Sequence, residues 1–251
     1  MKIKWTSQRG KERSYNNDAV ALGYKGHFLI VVLVDAADNR TPRTSKYFQS
    51  PTKRLASFWA DSCLQKILKL EALSSEEAII HALSDQQKKL RSHYLHDIAS
   101  YGVLTVNIEK GDIKWLYTGD CRFGLLTNAE KVQWLDKPHR LNELPLYLPR
   151  ECDSHEVKVS KQNISEHTLT QCLNARRFSS PTLVKSKICI DASEAETTSI
   201  IIGTDGYWSE HLHQGIAMGD IADDASFLAI KCGEKALSIH SDSPNLLVIY
   251  S

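Results

Sequence analysis

The sequence predicts an α+β fold in which helices cover antiparallel sheet. Three observations carry this. The candidate elements run strands, two helices, strands, helix, strand, an order that argues for α+β. From residue 101 to residue 135 hairpin follows hairpin. The composition is that of an ordinary globular chain: of 251 residues, 42% are apolar and 24% charged, with a formal net charge of +1, which excludes disorder as the main state. A chain of this length buries a core without staples, and no stretch reads as a linker.

The elements follow in order. Asp18-Ala-Val-Ala-Leu22 reads as a strand that turns through Gly23-Tyr-Lys-Gly26 into Phe28-Leu-Ile-Val-Val-Leu-Val34. The second run is apolar at every position, as a strand buried on both faces requires. It ends in the polar segment Asp35-Ala-Ala-Asp-Asn39. Lys53 to Leu70 carries a helical stripe of Leu55, Phe58, Trp59, Cys63, Ile67 and Leu70. Ser74-Ser-Glu-Glu77 has the form of a capping box, and Ile79, Ile80, Leu83, Leu90 and Tyr94 mark the inner face of the helix it opens. Val103–Ile108 and Ile113–Tyr117 flank a turn at Lys110-Gly-Asp112, and Arg122–Leu126 and Val132–Leu135 continue the sheet. A helix is expected over Ile164–Leu173, a strand at Ser199–Gly203, a helix over Asp220–Leu237 and a closing strand over Asn245–Tyr250.

Charge and cysteine usage narrow the function. Lys and Arg number 31 against 30 Asp and Glu, so the basic face that nucleic acid demands is not implied. The six cysteines, at 63, 121, 152, 172, 189 and 232, form no C-x-x-C pair, which argues against a zinc ribbon or a thioredoxin-like site and for free thiols in a reducing compartment. The N-terminal segment has no apolar core for a signal peptide, and the longest apolar run is too short to span a bilayer. A cytoplasmic protein that binds neither membrane nor nucleic acid is therefore expected.

Acids recur at strand ends: Val34-Asp35-Ala36, Thr118-Gly119-Asp120 and Gly203-Thr204-Asp205-Gly206, with Asp18 just before another strand. If neighbouring strands carry them, the carboxylates converge, and a converged cluster needs a cation or raised pKa values. Oxygen ligands suit hard divalent ions. Ordinary turn chemistry explains any one of these acids better than a metal role does; only the four together bring the two readings level, and spacing alone leaves both open.

Gly10-Lys-Glu-Arg13-Ser-Tyr-Asn16-Asn17-Asp18-Ala19 resembles the opening motif of the type 2C metal-dependent serine/threonine protein phosphatases, with Gly, Arg, Asn and Asp-Ala at the same separations. Phe28–Ala36 resembles that family's apolar strand ending in Asp-Gly. Tyr117-Thr-Gly-Asp120-Cys-Arg122 resembles its Gly-Asp-Ser-Arg segment, Ile200–Trp208 its Ser-Asp-Gly-Leu-Trp segment, and Asn245-Leu-Leu-Val-Ile249 its closing Asp-Asn strand. The resemblance covers nearly the whole chain and implies one domain, 1–251. The implied fold is a four-layer α-β-β-α sandwich, two packed antiparallel sheets flanked by helices. It further implies hydrolysis of phosphoserine or phosphothreonine in proteins by water activated between two Mn²⁺ or Mg²⁺ ions. Asp35 would bridge the ions, the Ala36 carbonyl would bind one, Asp205 would hold the second, and Asp18 would act nearby, directly or through water. Asp120 would serve a weaker third metal position with Asp205. Arg13 would grip the substrate phosphate. The compact length and the opening motif resemble bacterial members, and a monomer is expected.

Departures from the family pattern favour a second function class, a catalytically weak pseudo-phosphatase that binds a phosphoprotein. The loop Asp35-Ala-Ala-Asp-Asn39 has lost its glycines, and Ala37 stands where some members carry an acid–base His. Asn17 stands where many relatives have an acid or Gln. Pro244 stands where the last metal-binding Asp is expected, with Asp242 the candidate replacement against a solvated loop acid. A phosphohydrolase on small phosphate esters is a third reading. Cys121 reads as a buried inert thiol or a redox switch, His139 as structural or surface, and Arg150, Arg176 and Arg177 as solvated surface.

Overall fold

The computed structural model describes residues 1–37, 53–126, 131–144, 168–189, 198–232 and 236–250. The chain opens with β1 (Lys2–Gln8), β2 (Asp18–Lys25) and β3 (Phe28–Ala36), followed by helices α1 (Leu55–Leu68) and α2 (Glu76–Lys88). Next come β4 (Ile98–Asn107), β5 (Asp112–Thr118), β6 (Arg122–Leu126), β7 (Val132–Trp134), β8 (Leu173–Asn174) and β9 (Thr182–Lys187). The last part holds β10 (Ser199–Gly203), a π-helical turn (Gly206–His213), β11 (Ala225–Lys231), β12 (Ser238–Ser241) and β13 (Leu246–Tyr250).

The strands form two sheets, one ordered β13-β2-β3-β4-β5-β9 with β8 beside β4, the other β12-β1-β11-β10-β6-β7. The period-two geometry of β3 divides its side chains cleanly. Ile30, Val32 and Val34 pack under the helices with Trp59, Cys63, Ile67 and Leu83, whereas Leu29, Val31 and Leu33 enter the core between the sheets. There they meet Trp5, Trp115, Phe123, Ile200, Ile202, Leu228 and Ile230. Full burial of such a side chain contributes about 1.5–3 kcal/mol, so this strand is an apolar hub for both cores. On the outer side of the second sheet, the Tyr207 ring of the π-helical turn stacks on Phe227 at 4.3 Å. Two packed sheets flanked by helical layers, the expected α+β arrangement, are thus observed.

Several details differ from expectation. The sheets are mixed: β13 pairs parallel with β2, and β12 parallel with β1. Parallel neighbours need a crossover rather than a hairpin, and the chain's C-terminal part supplies both as edge strands. The helix expected over Asp220–Leu237 is instead β11, hydrogen-bonded on both edges to β1 and β10. Its buried Leu228 and Ile230 follow a period of two, which the apolar residues around them obscured. The helix expected over Ile164–Leu173 lies partly outside the described residues, and the described remainder forms a bridge from Leu169 to Arg140 and the short β8. The cap of α2 is Ser75, whose hydroxyl accepts the Ala78 N–H at 3.2 Å, one residue later than the capping-box reading.

Candidate functional site

The acids converge because the register puts them together. Asp18 and Asp35 are direct partners in the β2–β3 ladder, and Asp35 is opposite Ser100 in the β3–β4 ladder. Ser100 Oγ donates to Asp120 Oδ1 at 2.6 Å and accepts the Asp120 N–H at 3.1 Å. Gly119 permits this approach: its φ is 95°, and a Cβ there would lie 2.1 Å from Ser100 Oγ. Asp205 arrives from the other sheet, just after β10. Its neighbour Thr204 donates from Oγ1 to Asp18 Oδ2 at 3.0 Å and accepts the Ser226 N–H at 2.9 Å, tying the sheets at this end. Asn16 and Asn245 set the backbone of Asp18: Asn16 Oδ1 accepts its N–H, and Asn245 Nδ2 donates to its carbonyl, both at 2.9 Å.

Like charges this close suppress ionisation. Burial, followed by the charges of Asp224 and Asp223, pushes the Asp18 carboxyl well above the usual carboxylate range. Burial, then Asp18, Asp205 and Asp120, does the same to Asp35. Asp205 is pushed up to about 8 by burial, with Asp120 and Asp223 adding to it and Arg140 opposing. Asp18 Oδ1 is buried without a hydrogen-bond partner. An unpartnered buried oxygen among acids is a group that a cation or a water molecule would satisfy. Among the described residues, however, no three His, Cys, Asp or Glu side chains are gathered closely enough to ligate one ion. Two arginines draw several of the acids aside.

Three residues of this site were missed in the sequence. Arg140, almost fully buried, donates to Asp120 Oδ2 from Nε at 2.8 Å and from Nη2 at 2.7 Å, and from Nη2 to Asp205 Oδ2 at 2.8 Å. Asp223 and Asp224 precede β11, the strand that lies beside β10. Asp224 accepts the N–H groups of Gly10 at 3.0 Å and Asn17 at 2.7 Å. Asp223 chelates Arg13, whose Nε donates to Asp223 Oδ1 at 2.7 Å and whose Nη2 donates to Oδ2. The legible signal was Asp223-Asp224 ahead of an alternating apolar run, hidden by the helical reading. Arg140 carries no local signal.

Of the sequence-predicted residues, Asp18, Asp35, Asp120 and Asp205 are brought together. Arg13 faces the same group through Asp223, and Asp35 is among the charges acting on it. Asp242 is placed elsewhere. The closing strand β13 pairs with β2, not with the strand of Asp205, and Asp242 Oδ1 caps the N–H of Ser7 at 3.0 Å on the exposed edge beside β1. Asp223, not Asp242, is the further acid at the cluster. Ala36 remains in β3, opposite Ala99, so an extended backbone at this position needs no glycine. Ala37 donates its N–H to the Ile98 carbonyl at 3.0 Å, and the rest of that loop, from Asp38, lies outside the described residues, as does Arg150. Cys121 is fully buried, its thiol pushed well up by burial and by Asp35, and so is held in its unreactive form. His139 accepts the Gly119 N–H at Nδ1 (3.1 Å) and stacks on Tyr117 at 4.7 Å, a structural placement. Arg176 and Arg177 are exposed.

No family profile matches the chain, and no curated protein matches it by sequence. Solved structures do match. A bacterial serine phosphatase superposes with a TM-score of 0.67 at 16% identity, covering 93% of this chain and 99% of its own. The serine/threonine phosphatase Stp1 from Staphylococcus aureus gives 0.66 at 14% identity, covering 91% and 94%. RsbX, solved in complex with magnesium, gives 0.50 at 13% identity, covering 90% and 92%. At these identities the likeness is one of architecture, and the fold of this chain is that of the bacterial serine/threonine phosphatases.

Proposed function

We propose that the chain, acting as one domain over 1–251, hydrolyses phosphoserine or phosphothreonine in proteins with the aid of Mn²⁺ or Mg²⁺. The observation that carries this is the buried orphan oxygen of Asp18, opposite Asp35 in a cluster whose carboxyls are raised by burial and by one another. An all-oxygen, over-acidic donor set suits a hard divalent cation. In this reading Asp18 and Asp35, with the Ala36 carbonyl as a further oxygen, would hold the metal, and Asp205 and Asp223 would complete its shell by turning toward it from the guanidinia that hold them. Bound divalent cations supply Lewis-acid charge to a phosphoryl group and to an attacking water. The chain's own residues do the rest. Arg13, with a side chain 22% exposed, offers a planar guanidinium to the phosphate, which competes with Asp223 for it. Ala37 has no proton to give, so the leaving oxygen takes its proton from solvent. The magnesium found with RsbX, which shares the fold, supports the choice of metal.

The phosphorylated protein partner, a monomeric state and a cytoplasmic location belong to the same reading. Cys63, Cys121, Cys172, Cys189 and Cys232 are all free thiols, which favours a reducing compartment. Among the described residues no helix is long and apolar enough to cross a membrane. A second reading, the catalytically weak phosphoprotein-binding module, is favoured by one observation: Arg13 and Arg140 already pair with Asp223, Asp120 and Asp205. The deciding experiment is hydrolysis of a phosphothreonine peptide with Mn²⁺, with Mg²⁺ and with chelator. Turnover that requires metal supports the phosphatase. No turnover under any metal, with the peptide still bound, establishes the binding module instead.

A further inference from the structure

We propose that Arg140 is a built-in counter-cation that closes the Asp120–Asp205 pair to metal, so that the centre takes two divalent ions and no third. This rests on the metal reading of the site given above, and its test is chosen to fail separately from that reading.

The geometry is that of an occupied position. Arg140 bridges carboxylates from the two sheets: two hydrogen bonds of 2.8 and 2.7 Å reach Asp120 Oδ2, and a third of 2.8 Å reaches Asp205 Oδ2. The other oxygen of Asp120 is engaged by the Ser100 hydroxyl. The Arg140 side chain is 5% exposed, so neither water nor a salt ion substitutes readily for its partners. Its position is fixed from several directions. The guanidinium lies 4.6 Å from the Trp208 ring centroid, and the Trp208 indole N–H donates to the Asp120 carbonyl at 2.9 Å. The Arg140 backbone bridges to Leu169 and donates its N–H to the Pro138 carbonyl at 2.9 Å. An ion between Asp120 and Asp205 would have to displace this guanidinium and break three charge-assisted hydrogen bonds in a buried position.

The charge balance points the same way. Among the described residues Asp18, Asp35, Asp120, Asp205, Glu210, Asp223 and Asp224 act on one another or on Arg13 and Arg140. At the Asp120–Asp205 pair Arg140 already supplies the positive charge that a cation would otherwise bring, and a further cation there would set two like charges side by side in a buried site. Arginine suits the role because its charge is permanent and its planar fork reaches two carboxylates at once.

The experiment counts metal rather than turnover. Wild type, Arg140→Gln, Arg140→Lys and Asp120→Asn are equilibrated with Mn²⁺, and bound manganese per chain is measured by elemental analysis after dialysis, with calorimetry for affinity. The expected result is one more ion per chain in Arg140→Gln than in wild type, and the wild-type number in Arg140→Lys. Asp120→Asn is expected to keep the wild-type number, because Asp120 is held by Arg140 and not by metal. Equal counts in wild type and Arg140→Gln, or loss of an ion in Asp120→Asn, would overturn the proposal. If Arg140→Gln does not fold even in Mn²⁺, the Asp120→Asn count decides. A wild type that binds no manganese rejects the metal reading of the site, whereas the difference between wild type and Arg140→Gln still tests Arg140.

Discussion

Opposed like charges on neighbouring strands destabilise a ladder, and Asp18 and Asp35 are such a pair: Asp18 is buried, Asp35 is half-buried, and the charge of Asp18 adds to desolvation in raising the Asp35 carboxyl. Nothing in the packing of two sheets needs this. The arrangement costs stability, and a divalent cation bound as proposed would offset that cost. Asp35→Asn therefore has two opposite effects. Without metal it removes repulsion and stabilises the protein by on the order of 1 kcal/mol, roughly a 2–4 °C rise in Tm for a chain of this size. With Mn²⁺ it abolishes both ion uptake and turnover. Thermal melts with and without Mn²⁺, alongside the peptide assay, check this, and near wild-type turnover would remove Asp35 from the metal site. Arg13 is expected to act in ground-state binding, because its partly exposed guanidinium already has a carboxylate partner in Asp223. Arg13→Ala should raise KM about tenfold or more while lowering kcat less. A drop in kcat at constant KM would confine the role of Arg13 to the transition state.

At the scale of elements, the same site depends on how strands end. Asp242 ends the parallel edge strand β12 by capping Ser7, away from the acids. Asp242→Ala should cost under about 1 kcal/mol, as for one exposed hydrogen bond, and leave Mn²⁺ affinity unchanged. A large loss of affinity would return it to the ligand set. Asp136, just after β7, is 5% exposed and accepts from the Trp115 indole at 2.9 Å, the Phe123 N–H at 2.8 Å and Arg122 Nε at 3.2 Å. Burial still outweighs these donors and pushes its carboxyl up to about 6, with Tyr117 and Arg122 the titratable groups beside it. A carboxyl raised on folding binds its proton more tightly in the native state. Its contribution is therefore full below about pH 4 and is lost as pH rises through about 6, by roughly 3 kcal/mol. The difference in unfolding free energy between wild type and Asp136→Asn, followed from pH 4 to pH 7 in urea, should fall by that amount, and a flat difference would show that the three donors hold Asp136 ionised throughout. Strong elements such as β3, α1 and β10 were legible because each carries an unbroken apolar signal. β1 was not, because only Ile3 and Trp5 in Lys2–Gln8 reach the core. β9 is polar because it is an edge strand. The acids were legible because strands deliver them one at a time. Arg140 was not, since its meaning depends on partners 20 and 65 residues away.

For the molecule as a whole, the acid-rich end is where the two sheets are tied together by polar groups rather than by the apolar core. Thr204 reaches across to Asp18, and Arg140 joins Asp120 of one sheet to Asp205 of the other. A ligand that binds at this end binds only the folded chain, because the unfolded chain scatters residues 18, 35, 205 and 223. Mass action then stabilises the native state by about 2.7 kcal/mol when free Mn²⁺ is a hundredfold above its Kd. For a chain of this length that corresponds to a rise in Tm of roughly 5–10 °C, larger than any single surface contact supplies and reversible with chelator. Hydrogen exchange should locate the effect. Amides at the ends of β2, β3, β5 and β10 should slow most, since opening that end releases the ion, whereas amides under α1 should change only with global stability. In Asp35→Asn the metal-induced rise should vanish while the metal-free melt persists. A Tm indifferent to millimolar Mn²⁺ in the wild type, with exchange unchanged at these strand ends, would mean that the repulsion among the acids is relieved by Arg13 and Arg140 alone, and the fold would then serve recognition without metal-assisted hydrolysis.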